Sequence, residues 1–182
     1  MPHPNGAPFR PSGRMDKVRV RCHVGCMFRR YAFVLLLQLF ALPCGAGSVA
    51  GFVTVVSGDT IQIDGVTLRL AWIDAPEPRQ TCHHADGRSW ACGASATRAL
   101  SDAVWRKSVH CNQVAADPNG AAQAICTADG LDLGEELVRQ GWAVVREGAS
   151  PEYEAEQNAA RTAQLGIWEG SFELPWLWRG ER

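Results

Sequence analysis

The stretch TIQIDGVTLRL, Thr60 to Leu70, constrains this chain more than any other. Ile61, Ile63, Val66, Leu68, Leu70 and then Trp72 mostly alternate with polar residues, the period of a half-buried strand, and Asp64-Gly65 sits between the two halves. A type I′ turn needs positive φ at both central residues, which Asp-Gly adopts readily. The spacing predicts a two-stranded hairpin whose second strand runs on through Trp72. Residues equidistant from the turn face each other. Asp59, just before the first strand, therefore comes close to the Arg69 to Asp74 end, with Glu77 just beyond. Three carboxylates at one end of a small sheet repel one another unless a hard cation or a cationic group lies among them.

The order GDT, then an arginine on the second strand, then IDAPE, resembles the thermonuclease (staphylococcal nuclease-like) family, with the likeness running from Gly51 to Trp168. That resemblance implies an α+β, mainly β fold: a five-stranded OB-fold barrel with about three helices packed on it. It also implies Ca²⁺-dependent hydrolysis of phosphodiester bonds in single-stranded DNA or RNA. Asp59 and Asp74 would bind Ca²⁺ through their carboxylates, helped by the backbone carbonyl of Ala75, since oxygen ligands suit that ion. Glu77 would orient or deprotonate the attacking water, and Arg69 would hold a phosphate oxygen.

Two positions depart from that pattern. Ser57 stands where the family usually has an acid before GDT, which implies weaker Ca²⁺ binding. The family's second catalytic arginine, expected in the DPNGAAQ turn, falls on Ala121, and no Arg or Lys occurs from Asn112 to Val138. Losing one transition-state donor costs on the order of 10² to 10³ in rate, so impaired catalysis is expected unless Arg79, Arg88 or Arg146 supplies the cation from a neighbouring loop. VVREGAS has no tyrosine to serve as a platform for a base, and Tyr153 is expected to pack on a helix instead. The alternative reading is a non-catalytic module binding a protein or an anionic ligand.

The first fifty residues read as a leader. Arg29 and Arg30 precede an apolar run from Tyr31 to Leu42, and small residues end at Ser48-Val49-Ala50, as in a secretory signal peptide cleaved near Ala50. The run is short for a membrane span, so the mature form is expected to be secreted or periplasmic, with no span and monomeric. Cys44 after Pro43 is poorly placed for lipid attachment, and the polar, basic segment before Met27 suggests that translation starts there. Residues 1–50 hold seven of the 18 Lys and Arg and one of the 19 Asp and Glu, leaving 11 basic against 18 acidic residues, a net −7. An acidic domain argues against tight nonspecific nucleic-acid binding, which draws on cations displacing phosphate counterions.

Four of the seven cysteines lie beyond the leader: Cys82, Cys92, Cys111 and Cys126. Of the three possible pairings, the favoured one joins Cys82 to Cys92, closing CHHADGRSWAC, and Cys111 to Cys126, on SVHCNQV and AQAICTA, which should pair antiparallel. An oxidising compartment follows. A zinc site from Cys82, His83, His84 and Cys92 is the competing reading.

Three helices are expected. GASATRALSDAVWRK places Ala96, Ala99, Leu100, Ala103 and Val104 on one face; DLGEELVRQGW is capped by Asp132 and ends at Gly141; SPEYEAEQNAARTAQLG has Ser150 as N-cap and Gly166 as C-terminal cap. The domain then spans residues 51–170. A tryptophan-containing tail follows at 171–182, in which Trp176 and Trp178 are expected to cover the barrel.

Overall fold

Residues 47–116 and 121–181 are described by the computed structural model, all within a unit spanning Pro43–Arg182. The apolar run, Met27 and Cys44 lie outside the described residues. In chain order come β1 (Ser48–Gly51), β2 (Thr54–Val55), β3 (Thr60–Ile63), β4 (Val66–Leu70), β5 (Ile73–Asp74), β6 (Cys82–His84) and β7 (Ser89–Trp90). Then follow α1 (Cys92–Val104), β8 (Val109–Ala116), β9 (Ala122–Ala128), β10 (Leu131–Asp132), α2 (Leu133–Arg139), β11 (Val144–Val145) and α3 (Pro151–Thr162). A 3₁₀ turn (Gly166–Glu169), β12 (Gly170–Ser171) and the short α4 (Pro175–Trp178) end the chain.

Asp64 and Gly65 have φ of 49° and 83°, the type I′ signature, and they set Ile63 opposite Val66 and Thr60 opposite Arg69. The hairpin belongs to a sheet ordered β1-β8-β9-β4-β3-β2, with β10 added on β9. β4 and β9 run parallel, and the other pairs are antiparallel. The hydrogen-bonded path runs from β1 to β2, and among the described residues no ladder joins its ends, so the architecture described is a mixed sheet with helices. Ser48-Val49-Ala50 lie in edge strand β1. β5 pairs with β11, and β12, β6 and β7 make a third small sheet.

The alternation of the hairpin becomes the core. Ile61, Ile63, Leu68 and Leu70 are fully buried against Ala96 and Leu100 of α1 and Leu133, Leu137 and Val138 of α2. The face predicted for α1 is the one it buries, with Ala99 and Ala103 partly covered. The helix ends at Val104, short of Lys107, because Trp105 turns extended and Arg106 takes a left-handed φ of 57°.

Asp132 caps α2 as its sequence predicts, Oδ1 accepting from the amides of Gly134 at 2.8 Å and Glu135 at 3.2 Å. The Tyr153 hydroxyl donates to the same oxygen at 2.8 Å, tying α3 to the cap of α2. Burial, reinforced by the Asp132 charge, pushes the Tyr153 phenol well above its ordinary value. Gly166 does not cap α3. Gln164 takes the left-handed turn there, with φ 55°, and Gly166 opens the 3₁₀ turn. A Cβ on Gly166 would lie 2.3 Å from the carbonyl oxygen of Gly141, so close backbone approach is what this glycine permits.

Both favoured bridges are present. Cys111 and Cys126 are direct partners in the β8–β9 register, and Cys82–Cys92 ties β6 to the start of α1. The zinc alternative is overturned, since both of its cysteines are spent in that bridge. His84 stacks on Trp90 and its Nδ1 lies 2.9 Å from Glu169. The two disulfides agree with an oxidising compartment outside the cytoplasm. Among the described residues no helix is long and apolar enough to cross a membrane.

Two stability outcomes follow. Replacing Cys111 and Cys126 by alanine should lower unfolding free energy by about 3 kcal/mol, the entropy of a loop this long, read from denaturant midpoints. Tyr153→Phe, which removes one of three donors to Asp132, should cost about 1 kcal/mol. A change near zero would mean that the cap does not depend on α3.

Candidate functional site

β4 ends at Leu70, whose N–H donates to the Asp59 carbonyl at 2.8 Å. The expected continuous strand through Trp72 is broken there. Ala71 and Trp72 form a turn, and Trp72 adopts φ 67°, a conformation that costs a bulky residue about 1–3 kcal/mol. The break moves Ile73 and Asp74 off the main sheet and onto β11, where Asp74 pairs with Val144. Asp74 thereby comes round toward Asp59 and Arg69.

The two aspartates are buried, at 4% and 1% exposure. Asp59 Oδ1 accepts from the hydroxyls of Ser57 and Thr60, each at 2.8 Å. Its Oδ2 accepts from Arg69 Nε at 3.3 Å, Arg69 Nη2 at 3.2 Å and the Ala75 amide at 3.3 Å. Ser57, where the family reading looks for an acid, thus holds the neighbouring aspartate in place. Arg69 Nη2 also reaches Asp74 Oδ1 at 3.0 Å. Burial opposes the charge on Arg69, but Asp59 and Asp74 outweigh it and hold the guanidinium above its ordinary value. Burial pushes the Asp74 carboxyl above the usual carboxylate range, with the Arg179 hydrogen bond working against that shift.

Glu77 is held through its backbone. Its N–H donates to Gln80 Oε1 at 3.1 Å, and its carbonyl accepts from the Gln80 amide at 2.7 Å. Gly93, in the first turn of α1, lies so close that a Cβ there would stand 1.7 Å from the Glu77 carbonyl oxygen. The helix that fills the core therefore also fixes the loop carrying Glu77.

A second cation among these acids is one that the sequence did not single out. Arg179, just past α4, donates Nη1 to Asp74 Oδ1 at 2.9 Å and to Glu77 Oε1 at 2.7 Å, and Nη2 to Asp74 Oδ2 at 2.7 Å. Its Nε and Nη2 also face Glu181, at 2.8 and 3.4 Å. The Asp74 hydrogen bond holds this guanidinium well above its ordinary value, against the effect of burial. Arg179 stands 105 residues from Asp74 in sequence, and no local spacing links them. The one clue was an arginine beside tryptophans in ELPWLWRG.

Arg146 completes the group. Its Nη1 is 3.5 Å from Asp74 Oδ2, and its guanidinium lies over the Trp176 ring at 4.6 Å. Arg69, Trp72, Asp74, Gln123, Arg146 and Arg179 line a cavity of about 350 Å³. Arg88 pairs instead with Asp86 in an exposed turn, and Arg79 is exposed and does not line the cavity. Ala121 is half-buried beside β9; residues 117–120, the rest of the turn where the second arginine was sought, lie outside the described residues.

As arranged, the oxygens that Ca²⁺ would take are engaged by other groups. The Asp59 oxygens are taken up by hydroxyls, an amide and Arg69, and Arg179 fills the space between Asp74 and Glu77. Ala75 turns its amide toward Asp59. Among the described residues no three His, Cys, Asp or Glu side chains are grouped to hold a metal ion.

Residues 67–170 match the family described as staphylococcal nuclease homologue, which covers the site from Arg69 to Arg146 and stops short of Arg179. A succinoglycan biosynthesis protein, ExoI, of Rhizobium meliloti (strain 1021) is 33% identical over 145 residues, covering 77% of this chain and 75% of that protein. An uncharacterized endonuclease of Haemophilus influenzae is 28% identical over 135 residues, covering 70% of each. With that match running from the second strand of the hairpin through the acid loop and the helices that hold it, the chain belongs to the staphylococcal nuclease homologue family.

Proposed function

We propose that this protein is an exported nuclease that hydrolyses phosphodiester bonds of single-stranded DNA or RNA at the cavity between the hairpin end and the C-terminal segment. The observation that carries this is Arg69, held by two buried aspartates at the wall of a cavity small enough for one phosphate and its neighbours. A guanidinium anchored in this way meets a phosphate oxygen without first having to be ordered. In this reading Glu77, on the loop that Gly93 and Gln80 hold, would take a proton from water once released from Arg179. A five-stranded barrel and the leader cleaved near Ala50 belong to the same reading. So does a Ca²⁺ requirement, which is general in the family. In this chain the ion and Arg179 would compete for the same oxygens of Asp74 and Glu77. The engagement of those oxygens by Arg179 also favours a second reading, a module that binds anionic ligands without cutting them.

Single-stranded DNA digestion by the full protein, with Ca²⁺ and with chelator, separates the two readings. Arg69→Ala should lower kcat/KM by about 10²- to 10³-fold, and Glu77→Gln by about 10²-fold or more with oligonucleotide affinity kept. Oligonucleotide binding with no cleavage under either condition leaves the binding module.

Competition for Asp74 is tested separately from activity. In chelator, Arg179→Ala should melt below wild type, because Asp74 stays buried with less compensation. Millimolar Ca²⁺ should raise the Tm of the variant more than that of wild type. If neither protein responds to Ca²⁺, these oxygens are not a metal site. Gly93→Ala should displace the Glu77 loop and lower kcat while the fold, followed by circular dichroism, persists.

A further inference from the structure

We propose that Arg146, laid on the ring of Trp176, is the second phosphate-binding cation of this site and fills the role for which Ala121 has no side chain. The inference rests on the nuclease reading and adds to it a residue and its support.

Four cations could serve a phosphate bound beside Arg69, and the structure separates them. Arg88 spends its guanidinium on Asp86 in an exposed turn, and Arg79 does not line the cavity. Arg179 does line it, but its guanidinium is committed to Asp74, Glu77 and Glu181 through Nε, Nη1 and Nη2 together. A phosphate could take Nη1 or Nη2 only by uncovering the buried Asp74 carboxylate, and Nε is turned to Glu181 at the exposed edge. Arg146 is different. Its side chain is 42% exposed, and its one described hydrogen bond is the long 3.5 Å contact from Nη1 to Asp74.

The position of Arg146 is set from three sides. Its backbone N–H donates to the carbonyl of Trp72 at 2.7 Å, at the strained turn that aims Asp74. Next to it, Val145 pairs with Ile73. Trp176 lies beneath the guanidinium, its ring centroid 4.6 Å from Cζ. A guanidinium stacked through its face keeps its N–H edge in plane and available for two parallel hydrogen bonds to a phosphate. Arg69 and Arg146 reach opposite oxygens of the one Asp74 carboxylate, so both converge on the same wall of the cavity. Trp176 lies beyond residue 170, where the family match ends. The C-terminal segment is thus a working part of the site: Trp176 positions the phosphate-binding arginine, and Arg179 neutralises the acids behind it.

The test uses the full chain and a single-stranded DNA oligonucleotide, with initial-rate cleavage and equilibrium binding measured separately. Arg146→Ala should reduce kcat/KM by about 10²-fold. It should also flatten the dependence of log affinity on log salt by about one phosphate contact. Arg146→Lys should recover only part of the rate, because an ammonium neither stacks flat nor binds bidentately, and added guanidinium should partly rescue Arg146→Ala. Trp176→Phe, which keeps an aromatic ring under Arg146, should retain more of kcat/KM than Trp176→Leu, and the gap between the two should vanish in the Arg146→Ala background, which separates positioning from stability. Arg88→Ala should behave as wild type. If wild type cuts and Arg146→Ala keeps its rate within twofold, the inference is overturned while the nuclease reading stands. If wild type binds without cutting, an unchanged salt slope in Arg146→Ala overturns the inference just as well. A wild type that neither binds nor cuts removes both.

Discussion

Asp74 is a carboxylate at 1% exposure, and the arrangement around it holds only because guanidinium groups face both of its oxygens. An isolated ionised carboxylate at such a depth would be too costly to keep, and removing one partner of a buried pair is more damaging than the pair is stabilising. Much of the molecule is arranged around that requirement. The hairpin carries Arg69 to one oxygen, the left-handed Trp72 swings Asp74 off the sheet, and the last residues of the chain bring Arg179 to the other side.

This places the C-terminal segment in an unusual position, structural and chemical at once. Trp176 packs on a second apolar cluster formed by the Cys82–Cys92 bridge, Val144 and Ile167, separate from the core beneath the hairpin. The docking of that ring carries Arg179 to the acids and gives Arg146 its shelf. The bridge therefore supports the site indirectly, by stiffening the surface on which the tail lies. Of the two tail tryptophans, Trp176 covers apolar surface as its sequence suggests, while Trp178 remains 41% exposed.

Charge has to be read at two scales here. The chain past residue 50 is acidic by seven charges, which argues against broad attraction to a polyanion. The cavity wall nonetheless gathers Arg69, Arg146 and Arg179. Such a site would recognise one phosphate by geometry and gain little from the field of the whole surface.

What the sequence alone determined was local. The hairpin was legible because Asp64-Gly65 admits few turns, the α2 cap because Asp132 lies two and three residues from the amides it serves, and the Cys111–Cys126 bridge because both strands could be recognised as an antiparallel pair. Asp59, Arg69, Asp74 and Glu77 could be read as one group because a single turn relates them. Four features were not legible. The break at Trp72 trades a strained backbone for a carboxylate's position. Gly166 answers to the distant Gly141 and not to the helix before it. The guanidiniums of Arg146 and Arg179 reach Asp74 across 72 and 105 residues of chain. Contacts of that span leave no periodicity or spacing behind, because they exist only once two apolar clusters have packed and carried charged groups to one place. Tertiary structure alone decided which cation would face the acids.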